Sequence, residues 1–185
     1  RLTDEEHTLL RDLAALAEHE LARRHDAVTD PLTGFSNEVG LKMLGAQTLR
    51  VCNRIGKQVS LLCFDLAAVD ADANQLFGVP DDAAVEAFTD ILRDTFDDSD
   101  VIGRLGHEQF AVLTYQAHDT EFGSPVARLR RAVEEYNAEH TPGGPLLAYD
   151  VGSAIGDPSY QIDFDRLFSA ATHAMRPQIV CSNTT

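Results

Sequence analysis

Asp65 closes the apolar run QVSLLCFDL, residues 58–66. Gly106, His107, Glu108 and Gln109 stand between the apolar arms of VIGRLGHEQFAVL, residues 101–113. The first stretch has the composition of a buried strand, and the second reads as strand, tight turn, strand. If the two neighbour each other in a sheet, the carboxylates of Asp65 and Glu108 converge on one edge. Two carboxylates with backbone carbonyls and water make an oxygen-donor set of the kind Mg²⁺ takes, completed by substrate phosphates. The same residue types also suit a solvated strand end and a solvated turn, so spacing alone leaves both readings open.

The elements that must position these residues follow from periodicity and punctuation. Thr3 and Glu6 have capping-box spacing, and Leu9, Leu10, Leu13, Leu16, Ala17 and Leu21 recur at helical spacing, predicting a helix over 3–28. Pro31 and Gly34 break it within TDPLTG, and Ser36 is the expected cap of a second helix over about 37–55. After the strand at 58–66 come an Ala- and Asp-rich stretch over 67–80 and a helix over about 81–96. Beyond the hairpin, a helix is predicted over 124–138, a turn at 141–145, a strand over 146–155, a helix over 163–175 and a closing strand at 178–181. Strands separated by helices, with one hairpin in the middle, predict an α/β (α+β) sheet covered by helices.

Composition bounds the function. The 185 residues suit one domain with an extra element, and 44% hydrophobic content is ample for a core. A formal charge of −15 opposes non-specific nucleic-acid binding, which needs clustered Lys and Arg, and also opposes an anionic membrane surface. Cys52, Cys63 and Cys181 are odd in number and lack metal-ligand spacing, which points to a reduced, cytoplasmic setting. No apolar run approaches the roughly 20 residues of a membrane span. The chain begins at Arg1 rather than Met, as a piece of a longer protein would.

In order along the chain, DPLTGFSN (30–37), LLCFDL (61–66) and RLGHEQF (104–110) resemble the GGDEF domain of diguanylate cyclases. The D-x-LTG-x-x-N opening, Asp30 to Asn37, is the most specific match. The resemblance divides the chain into a linker helix from an upstream sensor domain (1–28), a GGDEF domain (29–182) and a short tail (183–185). It implies a five-stranded, mainly antiparallel sheet with a central hairpin flanked by helices, like the palm of nucleotidyl cyclases. Active members of the family work as dimers, each half binding GTP with Mg²⁺, and condense two GTP to cyclic di-GMP. By that resemblance Asp65, the Leu66 carbonyl and Glu108 are the metal ligands. Asn74, Asp82, Gly106 and His107 fall on nucleotide-binding positions, and Glu108 and Gln109 on the catalytic ones.

The sequence departs from the family pattern at several of these positions. His107 replaces a glycine whose missing side chain lets the backbone approach phosphates closely. Gln109 replaces a glutamate, and an amide cannot serve as a base for the attacking hydroxyl. Ala67 stands where a second Asp is usual, and Val69 and Asp70 where the family has Phe and Lys. The C-terminal phosphate-binding Lys is missing, with Arg176 nearby, and the product-inhibition motif R-x-x-D reads Asp97-Asp98-Ser99-Asp100. The expectation is a degenerate, catalytically silent GGDEF domain: a regulatory, dimerisation or GTP-binding module, pairing through residues 3–28 and serving a sensor upstream and an EAL-type domain downstream. The alternative is an active, Mg²⁺-dependent diguanylate cyclase.

Overall fold

The computed structural model describes residues 27–70, 75–76, 80–115, 124–139, 146–160 and 163–178, with Arg11 and Ala14. Helix α1 (Glu38–Ile55) starts at Asn37, whose side chain accepts the Gly40 N–H, and stops at Gly56 in the left-handed region. Strand β1 (Val59–Asp70) follows and pairs briefly with β2 (Gln75–Leu76). Helix α2 (Asp82–Thr95) is capped by Asp81, and buries Ala84, Val85, Phe88, Ile91 and Leu92 along one face. The hairpin strands are β3 (Val101–Arg104) and β4 (Gln109–Thr114). Helix α3 (Pro125–Glu139), strand β5 (Leu146–Gly156), helix α4 (Phe164–His173, capped by Asp163) and strand β6 (Arg176–Gln178) complete the chain.

The strands run β3-β4-β1-β5-β6, with β2 attached to β1, and every pair of strands is antiparallel. β1 is central because, from Val59 to Leu66, all its residues but Ser60 and Asp65 are buried on one face or the other. Side chains alternate across a strand, so Leu62, Phe64 and Leu66 join one core and Val59, Leu61 and Cys63 the other. The first core takes α2 and α3, and rings of Phe64, Phe88, Phe110 and Tyr149 meet at 5.3–6.1 Å. The second takes α1 and α4 through Leu41, Leu49, Phe164 and Leu167. Close approach of α4 to β5 needs Gly152, where an added Cβ would collide with the Ala171 carbonyl oxygen.

The predicted fold class holds, with local differences. β1 runs to Asp70, past the expected end at residue 66, because pairing with β5 continues to Val69–Leu146 and pairing with β2 to Asp70–Gln75. Asn37, not Ser36, caps α1; the Ser36 backbone is taken by bridges to Thr29 and Gly103. The closing strand begins earlier than expected, at Arg176, since α4 ends at His173 and leaves Arg176–Gln178 to pair with β5; the rest of the expected strand over 178–181 lies outside the described residues. The predicted helix over 3–28 lies almost wholly outside the described residues.

Candidate functional site

β1 and β4 run antiparallel in a register that sets Asp65 directly opposite Gln109. One step further, the Leu66 N–H donates to the Glu108 carbonyl at 2.8 Å. In a strand the N–H and C=O of one residue point the same way, so the Leu66 carbonyl also faces the hairpin. On its other side Asp65 opposes Asp150 of β5. Burial, then the Glu108 and Asp150 carboxylates, push the Asp65 carboxyl above the usual carboxylate range, against a hydrogen bond from the Gln109 side chain.

The hairpin is braced from behind. Asp30 accepts the Thr33 N–H at 2.9 Å and the Thr33 hydroxyl at 2.8 Å. Gly34 takes φ 72°, and its N–H donates to the Asp30 carbonyl at 2.9 Å. Arg104, buried at 8% exposure, pairs with Asp30 at 3.2 Å and donates to the His107 carbonyl at 2.8 Å. Burial disfavours a charged Asp30, yet the bonds from Thr33 and Arg104 hold its carboxyl below the usual range. The D-x-LTG stretch is thus a folded clasp that fixes the hairpin turn. An open cleft of about 430 Å³ lies between the start of α1 and the turn, lined by Asn37, Glu38, Arg104, Gly106 and His107 among others; neither Asp65 nor Glu108 is among its lining residues.

The structure therefore brings together Asp65, Leu66, Glu108 and Gln109 where β1 passes the start of β4. Gly106 and His107 stand exposed at the hairpin apex, and Asp82 stands exposed in the first turn of α2. Asn74 lies outside the described residues. Sequence reasoning missed Asp150, although a charge within the apolar run LLAYDVG was a readable signal. It also missed Asn137, 5% exposed, which accepts from the Leu147 N–H and donates to the Leu147 carbonyl, both at 2.8 Å, tying α3 to β5. Asn137 continues the Leu129–Val133 row of α3, where a polar side chain must find a buried partner.

The donors beside the start of β4 fit Mg²⁺ in kind. Carboxylates of Asp65 and Glu108 and the Leu66 carbonyl are hard oxygens, and Mg²⁺ ordinarily takes one or two carboxylates with substrate phosphates. Among the described residues no three of His, Cys, Asp and Glu gather closely enough to hold a metal alone. Also among them, no helix is long and apolar enough to cross a membrane.

Comparison with known proteins agrees with this architecture. The model of the family described as "Diguanylate cyclase, GGDEF domain" matches residues 27–178. Diguanylate cyclase DosC of Escherichia coli (strain K12) is 26% identical over 172 residues, covering 91% of this chain and 35% of DosC. Diguanylate cyclase DgcP of Pseudomonas aeruginosa is 28% identical over 181 residues, covering 95% of this chain and 26% of DgcP. The chain thus spans about a third or less of these curated relatives. The coiled coil and GGDEF domain of DgcB from Caulobacter crescentus, solved in complex with c-di-GMP, superposes with a TM-score of 0.69 at 16% identity, covering 91% of this chain and 88% of that one.

Proposed function

This chain belongs to the GGDEF diguanylate cyclase family, and from that premise we propose that it is a guanine-nucleotide-binding regulatory domain of cyclic di-GMP signalling that does not itself condense GTP. The observation that carries this reading is Gln109. It sits directly opposite Asp65 across the β1–β4 pair, where the family pattern has a carboxylate. An amide neither accepts a proton from a ribose hydroxyl nor adds negative charge to a metal site. His107 at the exposed apex adds a side chain where close backbone approach to phosphate is required. Loss of a single transition-state charge contact costs about 10²–10³ in rate. Such losses do not add, but here a base, a close-approach glycine and the lysine positions are all altered.

In this reading Asp65, the Leu66 carbonyl and Glu108 would hold Mg²⁺, which would neutralise phosphate charge. Gly106 and His107 would line the phosphates, and Asn74 with Asp82 would read the guanine. The domain works in the cytoplasm within a longer chain, coupling an upstream sensor to a downstream effector such as an EAL-type domain. Residues 3–28 would pair two copies.

The test is incubation of purified protein with GTP and Mg²⁺. The expected outcome is no cyclic di-GMP by chromatography, with a rise in melting temperature that Asp65→Ala abolishes. Formation of cyclic di-GMP, lost in Asp65→Ala, would establish the active cyclase instead. Absence of any thermal response to guanine nucleotides would leave a ligand-free spacer.

A further inference from the structure

Most of the large exposed hydrophobic side chains among the described residues stand on one helix, α1. Val39, Met43, Leu44, Val51 and Ile55 are 44–61% exposed there, while Leu41, Leu49 and Cys52 fill the core on the other face. Gly40, Leu44, Val51 and Ile55 follow one another at steps of four, seven and four, so they share one side of the helix. The chain arrives at the head of that row. The Asn37 side chain donates to the Ala27 carbonyl at 3.0 Å, and the Asn37 N–H to the Val28 carbonyl at 2.9 Å. An added Cβ on Gly40 would collide with the Val28 carbonyl oxygen, so the missing side chain admits the incoming backbone. An apolar row of this kind marks a surface that something covers.

Charge selects the occupant. In a chain of net charge −15, α1 carries Lys42, Arg50 and Arg54 against Glu38 alone. Lys42 pairs with Glu38 at 2.8 Å, so the exposed Arg50 and Arg54 hold the surplus. The same helix of a second copy would set cation against cation. Residues 3–26 have the opposite character: seven acidic residues against three arginines, with the leucine row Leu9, Leu10, Leu13, Leu16 and Leu21. Their length suits too. At about 1.5 Å per residue, 24 helical residues reach about 36 Å, beyond the roughly 27 Å of α1.

We propose that the exposed face of α1 is a docking site for the chain's own N-terminal segment, residues 3–26, laid antiparallel along it from the pin at residues 27 and 28. In that arrangement Leu13 comes level with Ile55, Ala17 with Val51 and Glu18 with Arg50. Tethering makes the contact intramolecular, which raises the segment's effective concentration at the face. The leucines it uses are those that would pair two copies, so one segment cannot do both, and pairing would lift it from α1. Docking itself is independent of nucleotide binding and turnover.

Disulfide trapping in the whole chain tests the site. Ala17→Cys with Val51→Cys is made together with Cys181→Ser; Cys52 and Cys63 are buried and do not compete. Under oxidised glutathione in dilute solution, a disulfide forms within one chain, seen as a faster monomer band on non-reducing electrophoresis and located by peptide mass spectrometry. Arg11→Cys with Val51→Cys, from the side of the segment away from its leucines, forms none. Arg50→Glu slows trapping about threefold, the scale of an exposed ion pair, and adding Glu18→Arg restores it. Circular dichroism confirms the fold, and Leu13→Cys with Ile55→Cys serves if the first pair is not folded. A disulfide between chains gives the face to a second copy and overturns the proposal. So does no disulfide in a folded variant, or equal trapping by the Arg11 control.

Discussion

At the scale of single residues, two aspartates on either side of the hairpin titrate in opposite senses. Asp65 is crowded by burial, Glu108 and Asp150, so its folded-state pKa lies above the ordinary 3.8. The folded chain then holds that proton more tightly than the unfolded chain. Stability from this site therefore falls as pH rises from about 3.8 through the raised value. Asp65→Asn is expected to raise the melting temperature at pH 7, with the advantage vanishing below the ordinary carboxylate range; thermal scans across pH check it. Asp30 is the reverse case. Burial opposes its charge, but Thr33 and Arg104 hold its pKa low, so its contribution is present above 3.8 and is lost as pH falls through the folded value. Asp30→Ala strands the buried Arg104 guanidinium and is expected to cost about 2 kcal/mol at pH 7 by denaturant titration. That is below the figure for a fully buried pair because Asp30 keeps 20% exposure. Asp65 was legible as a candidate from its position at the end of an apolar run, and Asp30 only as the first residue of the D-x-LTG match. Their environments were not, because Asp150 and Arg104 reach them only across the sheet and the turn.

At the scale of elements, β5 is where backbone and packing constrain each other most. Gly152 opposes Cys63 on β1 and lies under the end of α4, with the Met175 nitrogen 2.7 Å from an added Cβ as well as the Ala171 oxygen. Neither atom is the free end of a flexible side chain, so α4 must move. Gly152→Ala is expected to destabilise the fold by about 3 kcal/mol, the overpacking scale, read as a lowered urea midpoint with unchanged slope. Helix positions were readable from apolar period, but their caps were not: Asp81, Asn37 and Asp163 each accept an N–H three residues on, and for α1 the expected cap was Ser36. Strand ends were less readable than helix positions. β1 extends beyond residue 66 because β5 and then β2 pair with it there, and sequence alone does not give a strand its partners' lengths.

At the scale of the whole molecule, one sheet serves two cores, so neither can be lost alone. Phe88 is fully buried among Phe64, Phe110 and Tyr149 on one face; Leu41 is fully buried on the other. Phe88→Ala is expected to cost about 4 kcal/mol and Leu41→Ala about 3 kcal/mol. Because β1 and β4 supply both cores, near-ultraviolet and far-ultraviolet unfolding curves should coincide in each variant. Separate transitions for the two faces would contradict that coupling. The sequence by itself determined the class of fold, the order of its elements and the motif positions, because period, capping and turn chemistry are local properties of the chain. Only the tertiary structure decided that Gln109 faces Asp65, that Asp150 crowds it and that the D-x-LTG turn clasps Arg104. Those contacts are cross-strand or span some 74 residues, and register and ion pairing at such range are fixed by packing rather than by any local signal.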